Sequence, residues 1–135
     1  MVLPAGGKAI TSLDPKPSTQ TILLVEDEES LRHIVIDLLT QLGYRVLGAG
    51  NGTEALAMAE RHPATIDVLI TDVLMPELAG PDLAVALRHS RPDLRIIFVS
   101  GDTPDQSNFV PGAVVLQKPF TIKMLSAKLR ELLQA

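Results

Sequence analysis

The chain has 135 residues, 46% of them hydrophobic and 21% charged, with a net charge of −4; this is the make-up of one globular domain and too little for two. No cysteine occurs, which excludes thiol catalysis, thiolate metal centres and a disulfide framework, and fits a cytoplasmic location. Apolar runs such as IIFV at 96–99 fall far short of the roughly 18 residues of a membrane span, and an acidic chain with one tyrosine and three phenylalanines lacks the basic, ring-bearing surface that nucleic acids need.

Residues 1–20 mix Pro, Gly, Ser and Thr without a helix or strand period and read as a leader or linker, leaving the domain to 21–135. From Thr21 onward, short apolar runs alternate with amphipathic segments, the pattern of βα units feeding a parallel sheet. Strands are predicted at 21–25, 44–48, 66–71, 95–100 and 114–117. Continuous runs such as ILLV and IIFV suit strands buried on both faces, so helices are expected on both sides of the sheet.

The first helix is predicted over 28–42, with Leu31, Ile34, Val35, Leu38, Leu39 and Leu42 on its apolar stripe and Gly43 ending it. Ile36 falls off that stripe and reads as an exposed apolar residue. A second helix, capped by Asn51 or Thr53, runs to about Arg61 and stops before Pro63. The third starts near Pro81 and ends before Pro92. The last, over 121–134, has Thr121 as its N-cap and buries Ile122, Leu125, Leu129, Leu132 and Leu133. Between the fourth and fifth strands only residues 101–112 remain, enough for one or two turns opened at 103–106 but not for a full helix. His33, His62 and His89 pair with nothing at ligand spacing and read as surface residues.

Ligands of an open parallel sheet bind at the carboxyl ends of its strands. Glu26 and Asp27 follow the first strand, Asp72 the third and Lys118 the fifth, while Ser100 ends the fourth. Three carboxylates, a hydroxyl and an ammonium converge if those strands are neighbours. Clustered acids repel, and a hard divalent cation with oxygen ligands relieves this; Mg²⁺ is the natural one, because it keeps waters and bridges to phosphoryl oxygens. A carboxylate in such a set can itself attack a phosphoryl group held in line, forming an acyl phosphate. Asp72 is the choice for that role, since Glu26 and Asp27 are adjacent and better placed to share a metal. Taken singly these residues have plainer readings: a turn residue for Asp72, a solvated charge for Lys118, helix-dipole acids for Glu28 and Glu29. The constellation favours the functional one.

The segments VEDEE, ITDVLMP, FVS and LQKPF, in this order and spacing, resemble the receiver domain of two-component response regulators over 21–134. The resemblance implies a flavodoxin-like, doubly wound α/β fold with a five-stranded parallel sheet in the order 2-1-3-4-5. It further implies that Asp72 takes a phosphoryl group from the phosphohistidine of a histidine kinase or phosphotransfer protein. Glu26, Asp27, Asp72 and the backbone carbonyl of Val73 would then hold Mg²⁺, and Lys118 and Ser100 would bind the phosphoryl group. The Lys118–Pro119 bond is expected to be cis. Such a domain catalyses only its own phosphorylation and dephosphorylation, and its first helix beside Pro119 and Phe120 would dock the kinase, with Ile36 as a contact. The PGAVVLQKPFT segment is similar to receivers at the C-terminus of hybrid histidine kinases.

Two departures bear on signalling. The position three before the lysine, where receivers usually carry a switch aromatic, is Val115, and the connection from Ser100 to Lys118 is about one helical turn short, so the fourth family helix is expected to be short or missing. These features leave open an alternative, an interaction module that keeps the fold but works without phosphorylation; homodimerisation through the altered face is open too. Gly101 opens the site to water while Leu74 cannot orient that water, and these opposed effects leave the phosphate lifetime unassigned. A flavin-binding carrier fits poorly because VEDEES offers acids where phosphate needs hydroxyls and glycines, and a phosphohydrolase of the DxD type lacks its second acid after Asp72.

Overall fold

Five strands pair in parallel in the order β2-β1-β3-β4-β5 in a computed structural model that describes residues 20–102, 105–107 and 109–134. The elements run β1 (Thr21–Val25), α1 (Glu29–Gln41), β2 (Arg45–Ala49), α2 (Gly52–Arg61), β3 (Val68–Asp72), α3 (Gly80–Ser90), β4 (Arg95–Ser100), β5 (Val114–Gln117) and α4 (Ile122–Gln134). The strand order reverses between β1 and β3, and that switch point is where the carboxyl ends of two neighbouring strands open a crevice.

Alternation along the strands divides the core. Leu23, Val25, Leu69, Ile96 and Phe98 face α2 and α3, meeting Ala55, Ala59, Leu83, Ala84 and Leu87. Ile22, Leu24, Val68, Ile70, Ile97, Val99 and Leu116 face the other way and meet Val35 and Leu39 of α1 and Leu125 and Leu129 of α4. Both faces are therefore apolar, which explains the unbroken hydrophobic runs of the central strands. The described residues include no helix long and apolar enough to cross a membrane.

Several local expectations shift. β2 begins one residue later and β3 two residues later than predicted, with Ile66 buried just ahead of its strand. On α1 the stripe is rotated: Val35 and Leu39 are buried, Ile36 packs against the core beside Tyr44 and Val46, and Leu31, Ile34 and Leu42 are exposed. Apolar residues surround most of this helix, so periodicity alone could not fix which side meets the sheet. His62 is half-buried at the end of α2, and its Nε2 finds no partner among the described residues, in contrast to the surface role expected of it. Asn51 rather than Thr53 caps α2, accepting from the Glu54 amide at 2.8 Å, and Thr121 Oγ1 caps α4 by accepting from Met124 at 3.1 Å.

Among the described residues no helix joins β4 to β5; the turn expected at 103–106 includes two residues outside the described ones. Phe109 takes over part of the covering role, its ring centroid 4.3 Å from that of the buried Phe98. Arg88 of α3 ties the same connection down by donating to the Pro111 carbonyl at 2.7 Å.

Candidate functional site

Register explains how distant residues meet. Val25 pairs with Thr71 and Asp72 with Val99, so Glu26, one step past β1, stands beside Asp72 at the end of β3. Ser100 pairs with Gln117, and the Lys118 amide donates to the Ser100 carbonyl at 2.8 Å. Lys118 is thereby fixed one step past β5, on the same rim. Its Nζ lies 2.9 Å from Asp72 Oδ1. One carboxylate oxygen from each of Glu26, Asp27 and Asp72 lies within 4.8 Å of the others. The Asp72 side chain is only 14% exposed against 39% for Lys118, so the acid is sheltered and the amine reaches it from the edge.

Burial is the largest influence on Glu26 and holds its carboxyl above the ordinary carboxylate range; the charge of Asp72 and a hydrogen bond with Asp27 act in the same direction, while the Glu28 amide and Lys118 oppose them. That amide donates to Glu26 Oε2 at 3.1 Å. Burial is likewise the largest single influence on Lys118 and would lower it. The hydrogen bond and charge of Asp72, with the charges of Glu26 and Asp27, outweigh it and hold the ammonium above the ordinary lysine range. Three acids set against one amine leave a surplus of negative charge on hard oxygen donors, a set that suits Mg²⁺.

The backbone around Asp72 is pinned. Val73 donates to the Val99 carbonyl at 3.1 Å, and the Val73 carbonyl accepts from Gly80 at 3.0 Å. This oxygen is turned to the start of α3 and accepts its hydrogen bond there. Thr71 Oγ1 donates to the Asp72 carbonyl at 3.1 Å. Ser100 Oγ donates to the Asp102 carbonyl at 2.8 Å and lies 3.2 Å from the Asp102 amide, so its hydroxyl is engaged in a local turn while lining the cleft that holds Asp72, Lys118 and Phe109. Val115 is half-buried against the α2–α3 side of the core. The Lys118–Pro119 peptide is cis.

A family model described as "Response regulator receiver domain" matches residues 22–130. The chain belongs to this receiver family. It is 39% identical over 118 residues to "Sensor kinase CckA" of Brucella abortus (strain 2308), covering 84% of the chain but only 12% of that protein. It is 34% identical to "Response regulator receiver protein CpdR" of the same organism, covering 84% of the chain and 97% of that protein. Among solved structures, the receiver domain from the hybrid histidine kinase CckA superposes with a TM-score of 0.74 at 39% identity, over 84% of this chain and 98% of that one. The flavodoxin-like architecture and strand order implied by the resemblance are thus those observed.

Three residues around the receiver site went unremarked in the sequence. Gly80 allows α3 to start directly against the Asp72 carbonyl. Phe109 supplies the only aromatic ring of the β4–β5 connection. Arg32, one turn into α1, donates through Nη1 to the Glu26 carbonyl at 2.7 Å. The signal for Arg32 was present: a cation six residues after the first acid lies one to two helical turns away, within side-chain reach of that loop.

Proposed function

We propose that this receiver accepts a phosphoryl group on Asp72 from a phosphohistidine of a histidine kinase or phosphotransfer protein, with Mg²⁺ held by Glu26, Asp27 and Asp72. The observation that carries this is the sheltered Asp72 carboxylate, paired with Lys118 and flanked by two further acids at one rim. An Asp72 carboxylate oxygen attacks phosphorus as the donor's P–N bond breaks. The bond's electrons leave with the imidazole, which takes up a proton. Mg²⁺, when bound, supplies neutralisation of phosphoryl and carboxylate charge. Lys118, held charged, trades part of its contact with Asp72 for a phosphoryl oxygen. Ser100 is held in its Asp102 turn, and a rotation of its hydroxyl toward the phosphoryl group would release that turn and carry the change into the connection bearing Phe109. With Val115 in place of the usual ring, the signal runs through that connection.

Metal addition tests the acid set directly. Mg²⁺ at a hundredfold its dissociation constant should stabilise the folded chain by about 2.7 kcal/mol, read as a rise in Tm. Asp27→Asn should lose most of that rise while melting no lower than wild type without metal, because one of three mutually repelling charges is gone. An equal metal-induced rise in both proteins would contradict the assignment.

The partner surface follows from the rotated face of α1. Leu31 and Ile34, exposed at 37% and 54%, form an apolar groove with Leu38, Pro119, Phe120 and Ile122. Ile36, the contact expected from the sequence, is instead packed inward over Gly48. Docking of a helical phosphodonor protein is assigned to this groove. Ile34→Asp should slow phosphotransfer from a cognate kinase by on the order of tenfold, the size of a single interface anchor, and leave phosphorylation by acetyl phosphate unchanged. Equal slowing with both donors would remove the groove from the account.

A further inference from the structure

The β1–α1 acids stand on a loop, and loops hold side chains in place only when something fastens their main chain. Glu26 is fastened twice. Its amide donates to the Ala49 carbonyl at 3.0 Å, and its carbonyl accepts from Arg32 Nη1 at 2.7 Å. The second contact spans from α1 across the end of β2. The Arg32 stem passes Gly48, where a Cβ would stand 3.5 Å from its Cδ, and the guanidinium crosses Gly50, where a Cβ would stand 3.3 Å from Nη1. Glu54 closes the far side, its Oε1 accepting from the Gly50 amide at 2.6 Å. The GAG sequence at 48–50 therefore leaves a slot for the cation, and Arg32 sits half-buried in it.

We infer that Arg32 is a positioning residue for the metal: by holding the Glu26 carbonyl it sets the direction in which Glu26 and Asp27 present their carboxylates, and so the affinity for a divalent cation. The inference rests on the receiver reading above. Two effects of the guanidinium have opposite signs. Its charge repels an incoming cation, while its hydrogen bond fixes the geometry of two of the three acid ligands. The bond is short and its acceptor is the main chain of a ligand residue, and removal of a group that orients a metal ligand ordinarily costs ten- to a hundredfold in affinity. The positive charge is not aimed at the carboxylates, as its contact is with the carbonyl. Positioning outweighs repulsion.

Isothermal titration with Mg²⁺ on the whole chain, with wild type, Arg32→Met and Arg32→Lys, tests this. The Met variant keeps an apolar stem without a donor, and the Lys variant keeps the charge on a shorter head without the fork. Mg²⁺ binding is expected to weaken roughly tenfold in Arg32→Met, with Arg32→Lys between it and wild type. In phosphorylation by acetyl phosphate, the half-saturating Mg²⁺ concentration should rise by the same factor while the rate at saturating Mg²⁺ stays within about twofold, a split that loss of folded protein cannot produce. Equal or tighter Mg²⁺ binding in Arg32→Met overturns the inference; if that variant does not fold, wild-type affinity in Arg32→Lys does so. Absence of Mg²⁺ binding by the wild type would instead overturn the receiver reading itself.

Discussion

Asp72→Asn is expected to gain no phosphoryl group when incubated with Mg²⁺ and acetyl phosphate or phosphoramidate, under conditions in which intact mass shows the wild type gaining one. The amide carries no negative charge to attack phosphorus and one fewer metal-binding oxygen, so both attack and charge neutralisation fail together. The loss should not come from unfolding. Asp72 pairs with Lys118 at 2.9 Å, but it also repels Glu26, and with Asp27 it contributes to holding the Glu26 carboxyl above its ordinary range. Removing the charge sacrifices one partly exposed ion pair, worth little, and relieves repulsion among three acids. The folded chain should therefore survive with an unchanged far-ultraviolet circular dichroism spectrum and a Tm close to wild type. A variant that still gained one phosphoryl group would place the acceptor elsewhere, and an unphosphorylated wild type would favour the phosphorylation-independent alternative.

Gly80→Ala should be among the most destabilising single-methyl additions in the chain. A Cβ at this position overlaps the Asp72 carbonyl oxygen and stands 3.1 Å from the carbonyl carbon and 3.2 Å from the Val73 Cα. All three are backbone atoms, so no side chain can swing aside. Gly80 is buried, and its amide is already committed to the Val73 carbonyl, so either the end of β3 or the start of α3 must move. Overpacking of this kind costs about 1–3 kcal/mol, and more where only backbone can yield; the upper end is expected. Urea unfolding should show a lower midpoint with an unchanged slope. Because the displaced atoms belong to Asp72, phosphorylation of the remaining folded protein should slow by on the order of a hundredfold, the penalty for misplacing a reacting group by about an ångström. A midpoint equal to wild type would show that α3 can start further from the sheet.

The parts of this molecule that were legible in its sequence are those in which pattern and chemistry agree. The strands at Thr21–Val25, Arg95–Ser100 and Val114–Gln117 are bounded by charge or turn residues, and their unbroken apolar runs admit one interpretation. The acids were legible because their places at strand ends follow from the βα alternation alone. The orientation of α1 was not: with Leu31, Ile34, Ile36 and Leu42 all apolar, the face that meets the sheet depends on what covers it, and Gly48 opens the space that draws Ile36 inward. The groove left by the exposed Leu31 and Ile34 was hidden for the same reason. His62 escaped because half-burial between two helices leaves no local trace. The partner of the Val73 carbonyl was not legible either, because a main-chain oxygen's direction depends on tertiary contacts, here the amide of Gly80. Arg32 and Phe109 act through contacts with a backbone carbonyl and a distant ring, neither of which periodicity registers.

The central claim is that the rim gathers its acids so that one of them, Asp72, becomes an acyl phosphate. Borohydride tests this at the level of the bond, because it reduces an acyl phosphate to the alcohol and so converts a phosphorylated aspartate to homoserine. After treatment with Mg²⁺ and phosphoramidate followed by borohydride, peptide mass analysis should find homoserine at position 72 and at no other acid, and none when Mg²⁺ is withheld. Homoserine at Glu26's neighbour Asp27, or a phosphoryl group that resists borohydride on a serine or histidine, would contradict the account.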